Sequence, residues 1–423
     1  MARYIRGIRI LDPAHGRDEL GDLVLAQGCI QDPQTFPLDQ IQEELDGKGL
    51  FACPAFIETS FQAHTPGHGR DGDLGSELRA AAAGGFAQVL LRPDTNPVAD
   101  HPGVLWEQRR LADQEGLLRV HLSAALTHAL AGESLSELGR LVDAGARAFS
   151  QALQGIPNSR ILRLALEYAA DLRLPVFLFP EDSTLAAHGV MDEGPTSLRL
   201  GLAGRPMAAE EIGVERDLRI AANSGARIHF PHLSSAAAIA RVAAARHRGQ
   251  AVSCAVSLHH LLLQDHDVGY FQTAFKTLPP LRSQTNREAL LRALANGAIQ
   301  ALTSAHTPWG RDWKGMTFAQ APFGIGTIEW TIPLALRLVQ EGVADLLTVL
   351  GLLTVGPARI LGLAVPDLRP GSPADLCIID PDAAVIPASN RWSRAYQNPY
   401  VGWPLQGQLR YLFVDGRLVY LHP

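Results

Sequence analysis

Apolar positions in this chain follow two rhythms. At both ends they alternate with polar residues, as in YIRGIRIL (4–11), GDLVLAQGCI (21–30), ADLCIID (374–380) and LRYLFVDGRLVYL (409–421). Period-two alternation bounded by Asp, Pro and Gly predicts short half-buried strands. Asp415-Gly416 sits between two such runs and predicts a two-residue hairpin. The middle instead switches between apolar β-rich runs and segments of helical period. Strands are expected at FIETS (56–60), FAQVLLR (86–92), RVHLSAAL (119–126), RAFS (147–150), PVFLF (175–179), RIHF (227–230), AVSCAVS (251–257) and IQALTS (299–304). Helical stretches such as GSELRAAAAGG, ILRLALEYAADL, AEEIGVERDLRIAANSG and REALLRALANG fall between them, and Gly closes several.

Eight strand–helix units predict an α/β fold, a (β/α)8 TIM-type barrel over 54–362. The terminal strands, 1–53 plus 363–423, are expected to build a small β-sandwich domain. The longest stretch without periodicity, HTPWGRDWKGMTFAQAPFG (306–324), follows the eighth strand and belongs on the face where barrels hold their sites. Its Trp309, Trp313 and Phe318 suit either an exposed partner patch or a lid over the mouth.

Composition narrows the function. Apolar residues are 47% of the 423 and charged residues 19%, enough for a large core and against disorder. A net charge of −6 excludes a basic field for nucleic acid or an anionic membrane. The N-terminus has no continuous apolar segment of signal-peptide type, and no apolar run reaches the ~20 residues of a membrane span. Cys29, Cys53, Cys254 and Cys377 have no CxxC spacing, which argues against a disulfide framework or cysteine zinc site and suits a cytoplasmic location. Lys48, Lys276 and Lys314 are the only lysines.

Chemistry in a barrel sits at the C-terminal ends of its strands. The first ends in PAFIETSFQAHTPG (54–67). This string resembles the first-strand signature PGFIDxHxHxRxPG of the dihydroorotase and cyclic amidohydrolase family. The resemblance runs on in order through RAAAAGGFAQVLLRPDTNP, LPVFLFPEDSTLAAHGVMDEG, ARIHFPHLSS, SLHHLLLQDHD, FKTLPPLR, ALTSAHTP, APFGIGTIE, PARILGL and GSPADLCIIDPD. It covers nearly the whole chain. The PPLR, HHLLL and APFG strings favour dihydroorotase over dihydropyrimidinase. The family implies a barrel of the amidohydrolase superfamily carrying one or two zinc ions and a small β domain from both termini.

The departures fall where that family holds metal. Its paired first-strand histidines match Ser60 and Gln62, its bridging lysine or aspartate Gln151 or Ala152, its fifth-strand histidine Phe179, and its eighth-strand aspartate Ala305. His232 alone survives among the ligands. Of the substrate-binding positions, the arginine matches His64, the asparagines Asp94 and Leu278, and the histidine beside the lost aspartate survives as His306. Catalytic zinc needs about three N, S or carboxylate ligands and an open position, and one histidine cannot activate water. Without the eighth-strand aspartate the general base is gone too. The expectation is therefore no catalytic residue, no metal and no cofactor.

The same resemblance offers a role for an inactive barrel. Some bacteria carry an inactive dihydroorotase-like chain that associates with aspartate transcarbamoylase in pyrimidine biosynthesis. The expected function is thus a pseudoenzyme subunit in a hetero-oligomer with the transcarbamoylase catalytic chain, with self-association as a homodimer also open. The alternatives are a cyclic amidohydrolase with a mononuclear site rebuilt from His64, His68, His232 and His306, a serine hydrolase using Ser60 with His64, and a module that binds a cyclic ureide or carbamoyl-aspartate.

Overall fold

The computed structural model describes residues 2–422. Eight parallel strands form the barrel: Phe56–Phe61, Phe86–Leu91, Arg119–Ala125, Ala146–Ser150, Val176–Phe177, Ile228–Phe230, Val252–Ser257 and Ala301–Thr303. Each pairs with the next in sequence order. The fifth is shorter than its apolar run predicts, leaving the ladder after Phe177.

Helices cover the outside for reasons written in the sequence. Ser159–Asp171 buries Leu162, Ala165, Leu166 and Ala169, the one-face spacing of a 3.6-residue period, and Asn158 caps it. Ser235 caps Ala236–His247 by accepting from the Ala238 N–H. Leu74–Ala83 is an alanine helix packed close enough that a Cβ on Gly84 would lie 2.1 Å from the Ile328 carbonyl oxygen. Inward side chains Ile57, Leu90, Ala148, Phe177, Ala255 and Ala301 meet Ala358, Ile360 and Leu361 at the N-terminal end, which the helix Val355–Leu361 plugs.

The two chain ends join in one eight-stranded mixed sheet. Phe51–Pro54 pairs with Arg3–Asp12 on one side and Leu376–Val385 on the other, so strands from both ends share one sheet. Its strand Phe51–Pro54 stops one residue before the barrel begins at Phe56. The hairpin forms as its sequence predicts, with Asp415 and Gly416 at φ 50° and 69°. The connection over 386–404 leaves this sheet and crosses to the barrel mouth. Among the described residues no helix is long and apolar enough to cross a membrane.

Candidate functional site

The barrel is not laddered between its eighth and first strands, and side chains close that seam. Glu58, fully buried on strand one, accepts from Ser60 N (2.9 Å), Thr303 Oγ1 (2.5 Å), Ser304 N (2.8 Å) and Ser304 Oγ (2.5 Å). Gln62 N–H adds a bond to the His306 carbonyl at 3.2 Å. Glu58 thus spends its lone pairs on the frame. Its signal in the sequence was a carboxylate in the middle of a wholly buried strand, FIETSF.

Above it stand the positions matched to metal ligands. Ser60 Oγ and His232 Nε2 share a hydrogen bond of 2.6 Å across the barrel. Both are buried, and burial holds His232 well below the usual histidine range, so the ring is neutral. Its Nδ1 has no partner. Gln62 donates to Asp94 Oδ2 at 3.1 Å, and Asp94 is in turn held by Arg92 through Nε (3.0 Å) and Nη2 (2.5 Å). Arg92 Nη1 reaches Thr307 Oγ1 at 3.1 Å. Gln151, on the fourth strand's end, donates to Thr127 Oγ1 (2.9 Å) and the Leu130 carbonyl (2.7 Å), tying it to the loop after strand three. Phe179 is buried, and Ala305 takes a left-handed φ of 49°. Leu278 is half-buried before Pro279.

The histidines do not assemble. His306 points away from the mouth, stacks on Phe61 and donates to Glu77 Oε2 at 2.7 Å on the helix Leu74–Ala83. His64 donates to the Pro308 carbonyl at 2.6 Å and lies against Trp309, and its burial lowers its pKa. His68 is exposed. Among the described residues no three His, Cys, Asp or Glu side chains are grouped so as to hold a metal ion. The rebuilt four-histidine site is therefore not formed, and the serine at position 60 meets His232 rather than His64. Serine, glutamine, phenylalanine and alanine do not fit zinc, and the one retained histidine already spends its Nε2 on Ser60.

The mouth is covered. Trp309 Nε1 donates to the Phe323 carbonyl (2.9 Å) and Phe318 is buried, so this part of the loop after strand eight folds inward as a lid, while Trp313 stays exposed with its Nε1 donating to Asp71 Oδ2 (3.0 Å). Two buried lysines staple it. Lys276 Nζ donates to the carbonyls of Phe318, Ala319 and Ala321 at 2.6, 3.0 and 2.6 Å. Lys314 Nζ donates to those of Thr273 and Pro322, both at 3.1 Å. Burial pushes Lys276 down to about 8, and burial with the neighbouring Lys276 pushes Lys314 down to about 7. The crossing segment seals the rim. Arg394 N donates to Glu77 (2.9 Å), Arg391 N to Glu329 (3.0 Å), and Tyr400 Oη bonds His259 Nδ1 (2.9 Å).

The motif strings that the chain retains are the ones that hold this frame. Arg282 of PPLR pairs with Asp192 of MDEG at 2.6 Å and donates to Ser234 of PHLSS at 2.9 Å. Glu210 accepts from the N–H groups of Ser234 and Ser235 at 2.9 and 2.8 Å. His260 of HHLLL reaches the Pro279 and Pro280 carbonyls of PPLR, both at 3.2 Å.

Sequence and fold comparisons place the chain in a family. Residues 54–238 match the dihydro-orotase-like family and residues 158–419 the amidohydrolase family. The chain belongs to the amidohydrolase family, in its dihydroorotase-like group. It is 42% identical to a dihydroorotase-like protein of Pseudomonas aeruginosa, over 99% of this chain and 100% of that one. It is 35% identical to a dihydroorotase of Geobacter metallireducens, over 99% and 100%. In fold it resembles the L-hydantoinase of Arthrobacter aurescens, with a TM-score of 0.88 at 21% identity over 99% of this chain and 96% of that one.

Proposed function

We propose that this chain is a non-catalytic dihydroorotase homologue, a structural subunit required for assembly or activity of aspartate transcarbamoylase. The direct Ser60–His232 hydrogen bond carries the first half of that reading. Its 2.6 Å span joins two positions that the family resemblance assigns to zinc. Glu58, Gln151 and Arg92–Asp94 likewise spend their polar atoms on neighbours, and general acid–base work needs such a group free to exchange a proton with substrate. A frame kept in detail while the chemistry is gone points to a role in shape and surface. The transcarbamoylase partner rests on the family resemblance. The full-length relative in Pseudomonas aeruginosa bears a dihydroorotase-like rather than a dihydroorotase name, which is consistent with it.

The test is to mix the chelator-washed chain with aspartate transcarbamoylase from the same organism and follow size-exclusion elution and carbamoyl transfer together. Co-elution with gained or stabilised transferase activity is expected. Separate elution with unchanged activity would overturn the assignment.

A cyclic amidohydrolase with a rearranged, metal-free site is the second reading. Relatives named dihydroorotase at 35% identity favour it, as does a serine within hydrogen-bond reach of a histidine. The unpartnered His232 Nδ1 weighs against it, since a base is normally oriented by a third group. Turnover of a cyclic amide that disappears in Ser60→Ala would establish it.

A further inference from the structure

Two cavities at the N-terminal end of the barrel, opposite the mouth, share a wall. One is about 570 Å³ and the other about 180 Å³, and Val252, Ser253, Arg359 and Ile360 line both. They form one groove beside the helix Val355–Leu361. Arg246 stands in the larger part, Arg227 in the smaller, and Arg359 at their junction. No Asp or Glu lines either part.

Among the described residues none of these three arginines has an ion-pair partner, although the chain as a whole carries a net charge of −6. Arg227 donates only to the Arg173 carbonyl, at 3.3 Å. A guanidinium presents five N–H donors in a fork that fits carboxylate and phosphate. Three of them around one concavity concentrate positive potential there.

The inner end adds an independent sign. His229 is 1% exposed, lines the smaller cavity, and bonds Ser253 Oγ through Nδ1 at 2.8 Å. Its Nε2 is buried without a hydrogen-bond partner, and the ring stands edge-on to Phe177 with centroids 4.9 Å apart. Burial pushes this histidine down to about 3, so the ring is neutral.

We propose that this groove is a binding site for a small organic polyanion bearing two or more phosphoryl or carboxylate groups. The guanidiniums of Arg227, Arg246 and Arg359 neutralise it. The site lies at the far end of the barrel from Ser60 and His232, so its ligand is distinct from any cyclic amide at the mouth.

Calorimetric titration of the full chain with pyrophosphate, tripolyphosphate and citrate tests it. Saturable one-to-one binding of at least one probe is expected, weakening as salt rises. Arg246→Gln and Arg359→Gln should each weaken it about 10-fold or more, the loss expected for a charge-assisted contact. Both side chains are exposed, so the variants keep the fold, as an unchanged urea midpoint would verify. Preference for the phosphate probes or for citrate identifies the ligand's anionic group. No saturable binding of any probe would overturn the proposal. So would an equal loss in the distant surface variant Arg140→Gln, which would mark the attraction as general charge.

Discussion

Removing the carboxylate of Glu58 is predicted to open the seam of the barrel. Glu58 is fully buried and accepts four hydrogen bonds, two from backbone N–H groups that have no alternative acceptor in the ladder. A buried donor left unsatisfied costs about 1–3 kcal/mol. In Glu58→Ala the Ser60 and Ser304 N–H groups lose their acceptor, while the Thr303 and Ser304 hydroxyls can rotate elsewhere. The two orphaned amides and the emptied space together predict a loss of about 3–5 kcal/mol. Glu58→Gln keeps the shape and one acceptor oxygen. Its amide NH₂ must face either Ser60 N–H or Ser304 N–H, since the two carboxylate oxygens each receive one of them. One donor–donor conflict remains in either orientation, so about half the penalty is expected. Urea unfolding of chelator-washed protein, followed by tryptophan fluorescence and circular dichroism, gives both values. An alanine variant within about 0.5 kcal/mol of the parent, the range of an ordinary surface change, would refute the reasoning. A glutamine variant less stable than the alanine one would also refute it.

Three further outcomes follow from the same geometry. Ser60→Ala leaves His232 with neither ring nitrogen partnered and should cost about 1–2 kcal/mol by the same unfolding assay. Restoring Ser60→His, Gln62→His, Phe179→His and Ala305→Asp together around His232 should create zinc binding measurable by equilibrium dialysis, whereas Ser60→His alone should not, because two histidines fall short of the usual ligand count. The lysine staples predict a pH slope. Lys314 sits at about 7 when folded against an ordinary 10.5, so between those values the unfolded chain binds more protons and stability rises with pH, while below about 7 both states are protonated and the dependence levels off. Lys276, at about 8, adds in the same direction. In Lys314→Met the urea midpoint should climb less between pH 7 and pH 10 than in the parent, and an identical slope would contradict the burial assigned to Lys314.

Sequence periodicity went far for the barrel because a strand buried on both faces and a helix buried on one leave different local patterns. It placed all eight strands, although PVFLF overstated the fifth, whose Leu178 and Phe179 lie past its two-residue ladder. It also located the hairpin at Asp415-Gly416, where the turn chemistry is local. It did not show that Phe51–Pro54 would bridge the two ends into one sheet, because pairing between residues more than 300 apart leaves no local trace. The 386–404 connection has no periodicity, and its bonds to Glu77, Glu329 and His259 span 317, 62 and 141 residues.

For the site, the family resemblance picked out positions 60, 62, 151, 179 and 305, and the residue types there, Ser60, Gln62, Gln151, Phe179 and Ala305, marked them as poor metal ligands. What each polar group does instead was hidden. Ser60 bonds a residue 172 positions away, and Gln62 reaches Asp94 only because Arg92 holds it there. His306 stood beside the lost aspartate in sequence, yet past the strand's end at Thr303 its ring turns toward Phe61 and Glu77. Glu58 and Arg92 carry no motif that separates a structural charge from a chemical one. Only their completed hydrogen bonds do.

The most direct measurement is zinc content against turnover. The chain would be stripped with chelator, reloaded with excess zinc, desalted, and analysed for bound metal while dihydroorotate and carbamoyl-aspartate interconversion is followed on the same sample. Zinc far below one per chain and no interconversion above buffer are predicted. One or two zinc ions per chain with turnover that falls in His232→Ala would contradict the account.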